Sequence, residues 1–152
     1  MRSILYVAFI VTMLLACGDQ IAIANDTGVH VQKDQQEELK KAELTLREFL
    51  KLVEEEKHDR CYDFFSIKLR EEFRKKHGIK NPSGYRDYVL SIETLWSDPE
   101  ILKVNMMGSQ AIQALVKMTL DETGIIEKYN LSFNMVKEEG KWKIDNWPLY
   151  ER

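Results

Sequence analysis

The chain has 152 residues, of which 44% are hydrophobic and 31% charged, and its 25 acidic side chains outnumber its 22 basic ones. This length fits one domain, and the composition is that of a globular protein with a core of its own. A formal net charge of −3 provides no basic surface for phosphate binding, so we expect no nucleic-acid partner.

The first twenty residues have the layout of a secretory signal. Arg2 gives a positive start, an almost wholly apolar run covers residues 4–16, and Cys17 follows it. The run is too short for a permanent membrane span. Residues 14–17 resemble a bacterial lipobox, in which the signal peptide (1–16) is removed and the cysteine is acylated. The sequence therefore predicts a lipid-anchored protein of the cell envelope, with the lipid on Cys17.

An ordinary signal-peptidase site is the alternative. Residues 22–24, Ala-Ile-Ala, match its small-x-small pattern, and cleavage after residue 24 would release the protein into the periplasm. Both interpretations are extracytoplasmic. Gly18 occupies the position where an Asp signals inner-membrane retention in enteric bacteria, which gives a slight preference for the outer membrane.

The helical half of the chain begins after a short linker. Residues 17–33 show neither a helical nor a strand period in their apolar residues, so we expect a tether there. Asp34 is a good N-cap residue, and Glu37 follows three positions later, which is the spacing of a capping box. These signals predict a first amphipathic helix over residues 35–57.

Three further capping signals follow along the chain. Asp59 and Ser66 are expected to begin a second and a third helix, and Asn81, with the proline after it, a fourth. The apolar stripe of the fourth helix extends to Trp96. We expect Pro99 to end that helix, because proline disfavours helical backbone in the residue before it.

Beyond Pro99 the apolar residues change from a period near 3.6 to a period of two. Four alternating segments, separated by turns that contain glycine, predict a four-stranded antiparallel meander with one apolar and one polar face. The apolar face is expected to carry Leu102, Val104, Met106, Ile112, Ala114, Val116, Met118, Leu120, Tyr129, Leu131, Phe133, Met135, Trp142 and Ile144. Helices followed by a sheet predict an α+β fold, in which the helices cover one sheet face and residues 34–152 form one domain.

The order of these elements resembles the cone-shaped nuclear-transport-factor-2-like superfamily. The resemblance lies in residues 46–65, in the 110–136 hairpin and in the Trp-x-Ile-x-x-Trp motif at 142–147, and it covers residues 34–147. Small envelope lipoproteins of that superfamily are the most similar. The resemblance implies a curved sheet wrapped around a helix, with a pocket at the wide end. Ketosteroid isomerase, scytalone dehydratase and limonene epoxide hydrolase have acid–base groups there, but the fold alone does not confer their chemistry.

Glu127 is the candidate for such chemistry. On the strand period it shares the apolar face with Tyr129, and a carboxylate on an apolar face has a raised pKa and can act as a base. Because Glu127 lies at a strand end near a turn, we favour the alternative that solvent reaches it and that it is not catalytic.

No metal or cofactor site is expected. His58, Asp59 and Asp63 are close in sequence, but helix-end and capping roles explain the first two and surface exposure the third. No histidine has a second histidine or a cysteine at metal-binding spacing. Once Cys17 is acylated or removed, Cys61 has no disulfide partner, and its aromatic neighbours predict burial.

Several aromatic side chains are candidates for lining the pocket, although aromatic residues at helical or strand spacing more often form plain core. They are Tyr85, Tyr88, Trp96, Tyr129, Phe133 and Trp142.

We expect a non-catalytic envelope lipoprotein that binds a small apolar ligand or a protein partner. One alternative is an isomerase- or dehydratase-like enzyme that uses Glu127 with a tyrosine. Another is a structural or assembly factor that acts through its sheet, for example as a homodimer. The outer positions of the third strand are polar, which argues against a large hydrophobic dimer interface. These positions are Lys128, Asn130, Ser132 and Asn134.

Overall fold

The structure is a computed structural model that describes residues 21–92, 94–122 and 124–149, with side chains from residue 33 onward except that of Thr94. The predicted signal peptide and Cys17 lie outside the described residues. Two compact units divide the chain, Met1–Glu37 and Glu38–Arg152. In the first unit, the described residues are helical. The second unit contains the sheet and the other helices.

The described residues form four α-helices and one 3-10 turn. The helices are α1 (Ile21–Glu54), α2 (His58–Cys61), α3 (Ile67–His77) and α4 (Pro82–Ser91), and the 3-10 turn is Tyr62–Phe64. Among the described helices, none is both long enough and apolar enough to cross a membrane.

The start of α1 differs from the prediction. Residues 21–33 are helical, so the helix begins well before the predicted start at residue 35, and Asp34 lies inside it instead of capping it. Extending an existing helix is far easier than nucleating one, and residues 21–33 contain no proline to stop it. The use of this segment as a tether stays a prediction.

The other capping predictions have mixed outcomes. Ser66 Oγ accepts a hydrogen bond from the Leu69 N–H at 3.0 Å, and Asn81 Oδ1 accepts one from the Gly84 N–H at 2.8 Å, which confirms both caps. Asp59 is not a cap: α2 begins after Lys57, whose side chain makes no capping hydrogen bond.

The predicted extension of α4 to Trp96 is wrong. This helix ends at Ser91, and the following segment pairs with the strand at 119–122. Pro99 interrupts strand pairing there instead of ending a helix: the register shifts between Ser97 and Glu100, because proline has no N–H to donate. The apolar residues spaced three and four positions apart near position 96 therefore belong to a strand. In this strand Trp96 is buried and Leu95 is exposed.

The four strands form an antiparallel sheet in the order β1-β2-β3-β4, which confirms the meander and the α+β class. The strands are β1 (Thr94–Met106), β2 (Ala111–Glu122), β3 (Ile125–Glu138) and β4 (Lys141–Ile144). Glu139 and Gly140, which join β3 to β4, have φ values of 49° and 78°. Positive φ at both positions of a two-residue loop is the geometry of a type I′ hairpin turn.

One position of the predicted apolar face is wrong. Ile101 pairs with Val116 but Lys103 pairs with Leu115, so Leu102 is an extra residue in a β-bulge. The bulge exposes Leu102 to 44%, while Ile101 and Val104 pack against the core. The alternation predicted for β2 is confirmed, since all five of its inner residues are buried.

Aromatic rings pack between the helices and the sheet of the second unit. The Phe49 ring of α1 lies 6.1 Å from the Phe133 ring of β3 and 5.5 Å from that of Trp147. The Phe65 ring lies 5.0 Å from the Tyr85 ring and 5.1 Å from that of Trp147. These contacts fix the helices against the inner face of the sheet.

Candidate functional site

A cavity of about 190 Å³ lies beside β1, where the end of α1 approaches the sheet. We call it the Trp96 cavity. The described residues that line it are Val53, Glu54, Glu56, His58, Leu95, Trp96, Ser97 and Asp121. Its size is below the roughly 300–1,000 Å³ of drug-sized ligand pockets, so it suits a small molecule.

The reversal of the chain after α1 brings two residues into the cavity wall. The Lys57 N–H donates to the Leu52 carbonyl at 2.9 Å, and the Glu56 N–H donates to the Val53 carbonyl at 3.1 Å. This pair of bonds is a Schellman motif, and Glu56 occupies its left-handed position with a φ of 55°. The motif ends α1 abruptly, so that α2 starts at His58, beside the cavity.

The sheet supplies the opposite wall. Trp96 on β1 lies opposite Leu120 on β2, and Leu95 lies opposite Asp121. Asp121 Oδ1 accepts a hydrogen bond from the Gly124 N–H at 3.0 Å, which holds the carboxylate at the β2–β3 turn.

Two nearly buried polar side chains in this wall have unused hydrogen-bonding groups. His58 and Trp96 are each 6% exposed. Within the part of the chain that the structure describes, no group hydrogen-bonds to the His58 ring or to Trp96 Nε1. Trp96 Nε1 is itself completely covered, so the His58 ring is the group that retains capacity to hydrogen-bond a molecule in the cavity.

The electrostatics of the cavity are those of a negative site. Burial lowers the pKa of His58, while the nearby charges of Glu56 and Asp59 oppose that shift. The imidazole is therefore neutral at neutral pH and offers one donor and one acceptor. Glu54, Glu56 and Asp121 contribute carboxylates, and no lysine or arginine occurs among the described lining residues.

The described residues contain no group of three or more His, Cys, Asp or Glu side chains that could hold a metal ion. The carboxylates and the imidazole of the Trp96 cavity therefore do not form a metal-binding group, and each can contact a different part of an organic ligand.

No family model matches the chain, and no curated protein matches it. The chemistry of its own residues therefore carries the functional argument.

The six aromatic candidates do not meet in one pocket. Trp96 lines the Trp96 cavity, and the Tyr129 ring lies 5.9 Å from the Trp96 ring. Tyr85 and Phe133 are fully buried in the core. Tyr88 lines a separate notch of about 50 Å³, and Trp142 lines an open groove of about 430 Å³ beside β4.

Glu127 lies on the inner face of β3, opposite Leu120, and accepts a hydrogen bond from the Tyr129 hydroxyl. The carboxylate is exposed and does not belong to the described lining of the Trp96 cavity. The structure thus brings the predicted acid and tyrosine together, but outside that cavity.

Cys61 is fully buried, and burial raises the pKa of its thiol to about 12. The thiol therefore stays protonated at neutral pH and behaves as a small apolar core group.

Sequence reasoning missed the carboxylates of this cavity and assigned His58 only a helix-end role. Glu54, Glu56 and His58 are close in the chain, and that acidic stretch ending in a histidine was the available signal. Their proximity to Asp121 depends on the pairing of β1 with β2, which no local pattern reveals.

Proposed function

We propose that the protein is a non-catalytic lipoprotein of the bacterial cell envelope that binds a small ligand in the Trp96 cavity. The observation that carries the proposal is the nearly buried His58 ring, which lines the cavity beside Trp96 and has no hydrogen-bond partner among the described residues. The charged lining favours a ligand with a polar group over the purely apolar ligand expected from the sequence.

The first seventeen residues support the location, through the apolar run and the lipobox-like ending at Cys17. Two or three acyl chains would hold the protein stably at the membrane surface, whereas one would not. The order of helices and strands supports membership in the cone-shaped superfamily. We propose that the Trp96 cavity, near the end of α1 and the start of β1, is the pocket that the resemblance implies.

The test is an NMR titration of the full chain with four small probes: indole, acetate, choline and 3,3-dimethylbutan-1-ol. Binding of at least one probe should shift the indole N–H signal of Trp96 and the ring signals of His58. Leu95→Trp, at a lining residue that is 51% exposed, should block the shift. Leu90→Trp, at a residue 55% exposed on α4, should not. Unchanged Trp96 and His58 signals with all four probes would contradict the proposal.

An enzyme remains the second candidate, because the Tyr129 hydroxyl donates to Glu127. Such a pair could move a proton to or from a substrate at the end of β3. This candidate requires a substrate that reaches an exposed carboxylate outside the Trp96 cavity. Loss of turnover of a β,γ-unsaturated ketone in Glu127→Gln would support the enzyme, and absence of turnover by the unaltered chain would exclude that activity.

A third candidate is assembly through the outer face of the sheet, where Leu115 and Ile126 are exposed. Polar side chains of β3 separate these apolar residues, so the face fits a small, polar interface better than an obligate one. Sedimentation of the full chain in detergent distinguishes a dimer from a monomer.

A further inference from the structure

We infer that the Trp96 cavity selects a small organic cation, whose positive group is bound by the carboxylates of Glu54, Glu56 and Asp121. This inference rests on the proposed function, since it names the ligand class of the same site. It follows from the charge of the lining, the aromatic wall and the unpartnered His58 ring.

The charge of the lining is uncompensated. Glu54, Glu56 and Asp121 make no ion pair with any residue that the structure describes. Seven other carboxylates of the described residues are paired with a lysine or arginine at 3.7 Å or less: Glu38, Glu43, Glu55, Glu71, Asp87, Glu100 and Asp145. Carboxylates elsewhere, such as Glu48 and Asp98, have no ion pair with a described residue either, so the grouping of three around one cavity is what distinguishes the site. Three unpaired carboxylates around one concave site create a negative potential that concentrates cations.

The aromatic and aliphatic lining favours an organic cation over a hydrated metal ion. Trp96 provides an indole, the strongest aromatic partner for cations, and Val53 and Leu95 add apolar surface. Calcium and magnesium need several oxygen ligands converging on one point, and the described residues contain no such group. An ammonium group that carries carbon substituents matches both the charge and the apolar surface.

The neutral His58 ring adds a second element of recognition. One ring nitrogen donates and the other accepts, so the imidazole can bind a hydroxyl group on the same small molecule. A hydroxyalkyl ammonium compound therefore satisfies more of the lining than a simple ammonium ion does.

The test compares choline with 3,3-dimethylbutan-1-ol, which has the same shape but a carbon atom in place of the charged nitrogen. At low ionic strength, NMR titrations of the full chain should give choline a dissociation constant about tenfold lower than that of 3,3-dimethylbutan-1-ol. Added salt should reduce this difference, because salt screens charges at a partly exposed site.

Isosteric variants identify the carboxylates involved. Glu54→Gln and Asp121→Asn should each weaken choline binding several-fold and leave the neutral probe unaffected. Asparagine at position 121 retains the oxygen that accepts from the Gly124 N–H. The matched control is Glu48→Gln, on the same helix but outside the described lining, which should not change either affinity.

The outcomes separate the two proposals. Equal or tighter binding of the neutral alcohol, or binding of only acetate or indole, overturns the cation inference and leaves the ligand-binding function standing. Choline binding that none of the carboxylate variants weakens also overturns the inference, since the cation would then be bound elsewhere. Failure of all probes to reach Trp96 and His58 overturns both. The comparison of choline with its neutral isostere needs no variant, so a misfolded variant cannot obscure the result.

Discussion

Glu56 donates its backbone N–H to the carbonyl oxygen of Val53 at 3.1 Å, while its own φ is 55°. This hydrogen bond ends α1 and turns the chain so that Glu56 and His58 both line the Trp96 cavity. Glycine usually occupies this left-handed position, because a β-carbon is strained there by about 1–2 kcal/mol. A carboxylate is thus held at the cavity in a backbone conformation that does not favour it.

Glu56→Gly should therefore stabilise the fold by about 0.5–1 kcal/mol, since relief of strain exceeds the entropy lost by glycine. Urea denaturation measures the change. Glu55→Gly is the control: Glu55 has no positive φ and forms ion pairs with Lys51 and Lys57, so glycine there should not stabilise. A lower denaturation midpoint for Glu56→Gly would mean that the chain reversal is described wrongly.

Trp142→Ala should lower the free energy of unfolding by about 3–5 kcal/mol, because the indole is buried on the inner face of β4. Lys141→Ala, at an exposed position of the same strand, should change it by less than about 0.5 kcal/mol. Lys143→Ala should lie between, near 1 kcal/mol, since its Nζ donates to the Asp63 carbonyl at 2.6 Å. Equal denaturation midpoints for the three variants would contradict the register of β4.

His58 should make the fold less stable in mild acid. Burial lowers the pKa of His58 in the folded state, against the opposing charges of Glu56 and Asp59, with Glu54 and Asp121 also in the cavity wall. Below the unfolded-state pKa of about 6.5, the unfolded chain binds more protons at this residue than the folded chain does. The contribution of His58 to stability should therefore be complete above about pH 6.5 and fall as pH decreases from there towards the lower folded-state pKa.

Denaturation at a series of pH values measures this dependence. His58→Asn should flatten the curve between pH 7 and pH 5.5, while His77→Asn, at an exposed histidine on α3, should leave it unchanged. An identical slope in His58→Asn and the unaltered chain would contradict the buried, neutral imidazole.

Cys17 should carry acyl chains when the protein is made in its bacterial host. Intact mass and partitioning into detergent should both show the modification, and Cys17→Ser should abolish both. A water-soluble chain that begins, unmodified, at Asn25 would instead indicate ordinary signal-peptide cleavage.

Local sequence signals were sufficient where a contact spans few residues. The Ser66 and Asn81 caps each depend on a hydrogen bond three residues along the chain, and the sequence predicted both. The inner face of β2 was predicted from alternation alone. A shift of one residue in this central strand would turn its apolar side chains away from the core, so only one register buries them. The start of β1 was missed, since apolar spacing near Trp96 fits a helix as well as a strand and the pairing with β2 decides between them.

The candidate site was harder to predict for the same reason. Its walls come from the end of α1, the start of α2 and two paired strands, and Asp121 lies 63 positions after His58 in the chain. The bulge at Leu102 and the strained turn at Glu56 are equally dependent on tertiary contacts. The aromatic residue types alone therefore did not predict the position of the site. Of the six aromatic candidates, only Trp96 enters the described lining of the cavity.

The most direct test of a cation site in the Trp96 cavity is a search for intermolecular nuclear Overhauser effects between choline and the full chain. We predict that the choline methyl protons give cross-peaks to the ring protons of Trp96 and His58, and that Glu54→Gln weakens them. Cross-peaks only to residues outside the cavity, or none at a choline concentration that saturates the shift changes, would contradict the account.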